Sequence, residues 1–153
     1  MNKENMYIKL KNKHQKEFNE FPIKFAFTTE QFKNGMKELG LKESDTDKIY
    51  PIYGGGFIRK LDKHRFENMC DKHYKEIQEE IINDTTGENF IRDMFSEELS
   101  NHEYGYTRDI EPTLNALALT INDIEKNENI KRGLELAMNE YNEQLYEDNI
   151  QEE

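Results

Sequence analysis

Apolar residues recur every three to four positions over several stretches of the chain. Tyr7, Leu10, His14 and Phe18 predict a helix over about 4–19 that Pro22 closes. The run Ile23-Lys-Phe-Ala-Phe27 alternates apolar with small or polar residues and predicts a short strand. Thr28-Thr-Glu-Gln31 has the form of a capping box, opening a second helix with Phe32, Met36 and Leu39 on its apolar face and Gly40 just past its end. A polar loop, Lys42 to Lys48, follows. The strongest helical signal covers 62–83, where Phe66, Met69/Cys70, His73/Tyr74, Ile77 and Ile81 form one face and Glu76, Glu79 and Glu80 the other. Asp84-Thr-Thr-Gly87 breaks this helix. A shorter one over about 89–101 carries Phe90, Ile91, Met94, Phe95 and Leu99, and Glu111-Pro112 opens another with Leu114, Leu117 and Leu119 inward. Thr120 caps the next. The segment 130–147 sets Leu134, Ala137/Met138, Tyr141 and Leu145 on one face, ahead of an acidic, apolar-poor tail.

These elements predict an α+β fold, mainly α, in one domain over 1–153. Five or six helices surround the central one at 62–83, beside a small antiparallel sheet of two or three strands. The expected core is Tyr50, Ile52, Phe57, Phe66, Met69, Ile77, Phe90, Met94, Leu99, Leu114 and Leu117.

Gly54-Gly-Gly56 lies between the apolar runs Tyr50 to Tyr53 and Phe57 to Arg59. A phosphate-binding loop needs a Gly-x4-Gly-Lys-[Ser/Thr] spacing and a following helix, and neither is present. Two short strands joined by a turn fit better, since glycine takes positive φ without steric cost.

Composition adds a charge asymmetry. Residues 1–60 hold 12 Lys/Arg against 8 Asp/Glu and residues 61–153 hold 9 against 24, so the net −11 divides into +4 and −15. An acidic surface of this kind repels nucleic-acid phosphate, and the expected partner is a basic protein. One cysteine, Cys70, excludes an internal disulfide and is expected as a small buried hydrophobe. The absence of an apolar h-region or of a run of 18 apolar residues predicts cytoplasmic residence without membrane association.

Candidate chemistry is sparse. His102 beside Glu103 could supply a base or metal ligand, yet adjacent residues point about 100° apart on a helix. His64, Glu67 and Asp71 share a face at i, i+3 and i+7, and Cys70 and His73 form half of a zinc-like spacing with no second cysteine. The loop Gly54, Gly55, Gly56 is a further polar site, with no metal or cofactor implied. The acidic rows Glu76, Glu79, Glu80, Asp84 and Glu88, and Glu140, Glu143, Glu147 and Asp148, recur at helical spacing and can imitate a phosphate track.

Several blocks together carry a resemblance: Phe25-Ala-Phe27 with Gln31-Phe32 and Leu39-Gly-Leu41, Asp47 with Tyr50 and Gly54-Gly-Gly-Phe57, and Glu98-Leu99 with Asn101-His-Glu-Tyr104. Over about 21–121 the chain resembles small uncharacterised proteins of phages, prophages and mobile elements of low-GC Gram-positive bacteria. That resemblance implies genomic context and no activity. Its span leaves out the basic N-terminal and acidic C-terminal helices. Two classes of function stay open. One is a non-enzymatic acidic binding module, such as an inhibitor of a host defence nuclease. The other is a small metal-assisted enzyme centred on His102 and Glu103, with His64 or His73 contributing; a role in the element's own replication or packaging stands beside them.

Overall fold

The computed structural model describes residues 4–151, apart from the side chain of Leu145, so the expected place of Leu145 on a helix face lies outside the described residues. The fold is α+β and mainly α, with eight helices among the described residues and a three-stranded antiparallel sheet. None of these helices is long and apolar enough to cross a membrane. The chain divides into two compact units, Met1–Asn12 with Glu76–Glu153, and Lys13–Lys75.

The Lys13–Lys75 unit is built on the sheet. Its elements are the C-terminal part of α1 (Met6–Glu20), β1 (Lys24–Phe25), α2 (Thr29–Glu38), β2 (Ile49–Ile52), β3 (Gly56–Arg59) and the first turns of α3 (Lys63–Asn83). The Thr28 side chain accepts the N–H of Gln31, as a helix cap should, while the Gln31 side chain reaches back to the N–H of Phe27. At the other end of α2, Gly40 takes φ 76° and Leu41 N–H returns to the Met36 carbonyl.

Strand order is β1-β3-β2, with Phe57 opposite both Lys24 and Pro51. One face of the sheet packs on α2 through Phe57, Met36 and Leu39. The hairpin expected at the glycines is present, and the three glycines serve two purposes. Gly54 and Gly55 have φ 82° and 81° and make the turn. Gly56 is within β3, where a Cβ would come 2.7 Å from Ile52 Cγ1 and 2.9 Å from Phe25 Cε1. Of the predicted strand 23–27, Lys24 and Phe25 form β1, and the Ala26 N–H adds a bond of 3.2 Å to the Gly55 carbonyl.

The other unit holds the start of α1, the end of α3, and then α4 (Phe90–Asn101), α5 (Tyr104–Thr107), α6 (Glu111–Ala116), α7 (Ile121–Lys126) and α8 (Glu128–Gln151). Its core gathers Tyr7, Ile81, Phe90, Ile91, Met94, Phe95, Leu99, Leu114, Ile124, Ile130 and Leu134. Burial concentrates on α4 rather than on α3. Six of the 12 residues of α4 are buried, against Ile81 among the described residues of α3. Adjacent pairs at 90/91, 94/95 and 98/99 give α4 an arc wide enough to be covered on two sides, by Tyr7 of α1 and by Ile130, Leu134 and Ala137 of α8. Of the expected core, Phe57, Phe90, Met94, Leu99 and Leu114 are buried, whereas Tyr50, Ile52, Phe66, Met69, Ile77 and Leu117 are half-buried. Cys70 is exposed, contrary to expectation, because Met69 and His73 occupy the inward arc beside it.

Helices α5, α6 and α7 are too short to show a period. Pro112 sits in the first turn of α6, and Thr120 with Asp123 forms a complete capping box on α7.

Candidate functional site

The acidic rows separate into carboxylates that hold the fold and carboxylates that face solvent. Asp84 belongs to the first kind and so leaves the acidic face on which the sequence placed it; it is 5% exposed. Its Oδ1 accepts the N–H groups of Thr86 and Gly87, at 3.4 and 3.0 Å, and its Oδ2 those of Asn89 and Ile91, at 3.1 and 3.0 Å. Burial raises the Asp84 pKa, but the hydrogen bonds from Ile91, Asn89, Thr86 and Gly87 outweigh it and hold the carboxyl below the usual range. The loop therefore supplies a carboxylate to the N-terminus of α4, satisfying N–H groups that the helix leaves unpaired.

Gly87 in this loop has φ 78°, and a Cβ there would lie 2.2 Å from the Asn129 carbonyl oxygen at the start of α8. Gly133 faces it one turn later, where a Cβ would come 2.4 Å from Ile91 Cγ2. This pair of glycines lets the loop and α8 touch backbone to backbone.

Among the remaining acids, Glu76 and Glu80 are half-buried and Glu79 is exposed. Glu88 pairs with Arg132 at 2.5 Å, and Glu140 with Arg92 at 3.6 Å. Glu143, Glu147 and Asp148 are exposed, and no ion pair holds them among the described residues. Helix α8 packs on α4, α5 and α7. Past Tyr141 its described side chains are all exposed, Tyr146 and Ile150 included. The two acidic rows stand on different helices, and α8 offers the longer open face.

His102 and Glu103 do not form a pair. His102 is the C-cap of α4, and its Nε2 lies 3.2 Å from Oε2 of Glu98, one turn earlier. Glu103 is exposed, with φ 58° in the left-handed region. Glu98 is 5% exposed, accepts the Tyr7 hydroxyl at 2.7 Å on Oε1, and has Lys11 Nζ at 3.8 Å. Burial of the phenol, then the hydrogen bond to Glu98 and the charges of Glu98 and Glu97, push the Tyr7 pKa far above its ordinary value. The network ties α1 to α4, and its chemistry is that of a buried carboxylate held by a phenol, an imidazole and an ammonium.

In the other unit, His73 Nε2 lies 2.7 Å from Glu17 Oε2, and its ring stacks on that of His14 with centroids 4.0 Å apart. His64, Glu67 and Asp71 are exposed on α3, and Glu67 pairs with Lys63 at 3.8 Å. Among the described residues no three His, Cys, Asp or Glu side chains are placed to hold a metal ion. Desolvation, then the charges of Asp71 and Glu67, push the Cys70 thiol up, which makes it a poor nucleophile.

Residues that sequence reasoning passed over include Tyr7 as a polar anchor, Glu98 and Gly133. Glu98 and Gly133 each carried a faint signal: a carboxylate on the apolar face of α4, and a glycine within a long helix.

A search of curated proteins gives no match, nor does a search of solved structures. A family profile does match, over residues 6–140, a longer span than the 21–121 of the resemblance and one that reaches into both terminal helices. The chain accordingly belongs to DUF7659, a family of unknown function.

Proposed function

We propose that this chain is a non-enzymatic binding module that docks on a basic protein through its acidic surface, above all through the outer face of α8. The observation that carries the reading is the row Glu140, Glu143 and Glu147, at i, i+3 and i+7 along a helix whose described side chains past Tyr141 bury nothing. Carboxylates repeating along a helix surface match the electrostatics of a phosphate track, and a nucleic-acid-binding cleft lined with Lys and Arg is the natural complement. The resemblance to proteins of phages and mobile elements makes an inhibitor of a host defence nuclease the specific form of the proposal, with the host cytoplasm as its site of action. His102 and Glu103 take no part in it.

The test is capture from a bacterial lysate on immobilised protein, with and without the charge swaps Glu140→Lys, Glu143→Lys and Glu147→Lys. The expected result is a basic nucleic-acid-binding protein that duplex DNA competes off and that the triple variant no longer holds. Capture of the same protein, undiminished by the triple swap, would overturn the reading.

A further inference from the structure

A cleft of about 510 Å³ opens where the start of α1, the end of α3 and the start of α4 meet, lined by Met6, Glu80, Asn83, Asp84, Thr85, Asn89 and Phe90. Its size is within the range of small-molecule sites. Among the described residues the lining holds two carboxylates and no cation. The N–H groups at this end of α4 that would otherwise attract an anion are taken by Asp84, through Gly87, Asn89 and Ile91. Glu80 is half-buried, and no ion pair holds it among the described residues. Met6 and Phe90 supply an apolar wall, and Asn83, Thr85 and Asn89 add neutral polar groups.

From this arrangement we infer that the cleft binds a small organic cation with an apolar or aromatic body, the ammonium placed at Glu80 and the body against Met6 and Phe90. Anions are rejected by the two carboxylates. Neutral aromatics of the same shape bind more weakly because they leave Glu80 without a counter-ion. The site is independent of the α8 face, so either proposal can stand without the other.

Tyramine is the probe, with 4-ethylphenol as its neutral counterpart and 4-hydroxyphenylacetate as the anion, each titrated into labelled protein and followed through amide chemical shifts. Tyramine is expected to shift the amides of residues 83–90 saturably, 4-ethylphenol to bind about tenfold more weakly, and the anion not to bind. Glu80→Gln should weaken tyramine by about tenfold. Asn83→Trp, whose indole takes up part of the cleft and leaves its charge unchanged, should abolish saturation. Glu125→Gln, an exposed acid on α7, should have no effect. The inference is overturned if tyramine gives no saturable shift, if Asn83→Trp binds as the parent does, or if Glu125→Gln weakens binding as much as Glu80→Gln. In the last case the acidic surface as a whole, and not the cleft, would be drawing the cation.

Discussion

Replacing Asp84 by Ala removes one carboxylate and leaves four backbone N–H groups to find other partners. Thr86 and Asn89 are exposed, and their N–H groups can turn to water. Gly87 and Ile91 are buried, and theirs cannot. An unsatisfied buried donor costs about 1–3 kcal/mol, so these two account for about 2–6 kcal/mol. The favourable placement of a negative charge at the N-terminus of α4 is lost as well. Against a typical domain stability of about 5–15 kcal/mol, the variant should lose a large part of the whole. Urea unfolding followed by circular dichroism should show a lower midpoint with an unchanged slope, and the Ile91 amide should exchange faster in the folded state. Because the Asp84 pKa is lowered on folding, its contribution is present above the unfolded carboxyl value of about 3.9 and is lost as pH falls through the folded value. The acid-induced loss of stability should therefore be smaller in Asp84→Ala than in the parent, both of which keep the contributions of Glu17, Asp45 and Asp123. A midpoint shift worth less than about 1 kcal/mol, with unchanged Ile91 exchange, would refute the assignment of Asp84 as the cap of α4.

Gly87→Ala should be among the most damaging single changes, since positive φ adds to a Cβ placed 2.2 Å from a backbone oxygen; a loss of less than about 2 kcal/mol in the same unfolding assay would contradict that contact. Gly54→Ala, with φ 82° and open space around the added Cβ, should lose only the left-handed penalty of about 1–2 kcal/mol. Ala118 and Glu103 hold φ of 54° and 58°, so Ala118→Gly and Glu103→Gly should each stabilise the fold by about 1 kcal/mol, read as a rise in melting temperature. The Tyr7 pKa is raised on folding, so its contribution persists up to the unfolded value of about 10 and declines as pH rises beyond it. Ultraviolet titration of the phenols should leave Tyr7 un-ionised until the protein unfolds, and Tyr7→Phe should flatten the alkaline fall in stability.

Local features of this chain are legible in its amino-acid order, because they depend on neighbours within about one helical turn. The apolar period of α2, α3 and α4, the Thr28 and Thr120 caps, Gly40 as a helix stop and the glycine hairpin all follow from side-chain spacing and allowed φ. The mainly helical class with a small sheet follows from the same signals. What the residues do once folded was decided by contacts distant in sequence. Tyr7 meets Glu98 across 91 positions, which no period records, and that contact pairs His102 with a network rather than with its neighbour Glu103. Asp84 looks like one more member of an acidic row, and it is buried because the chain after it folds back to aim N–H groups at its carboxylate. The long amphipathic helix α3 has the strongest period, yet within its own unit α4 is the more deeply buried helix, because its adjacent buried pairs are covered from two sides. Periodicity reports that a face is apolar, and only the tertiary structure supplies the surfaces that cover it, so burial and every use of a charged side chain were settled there.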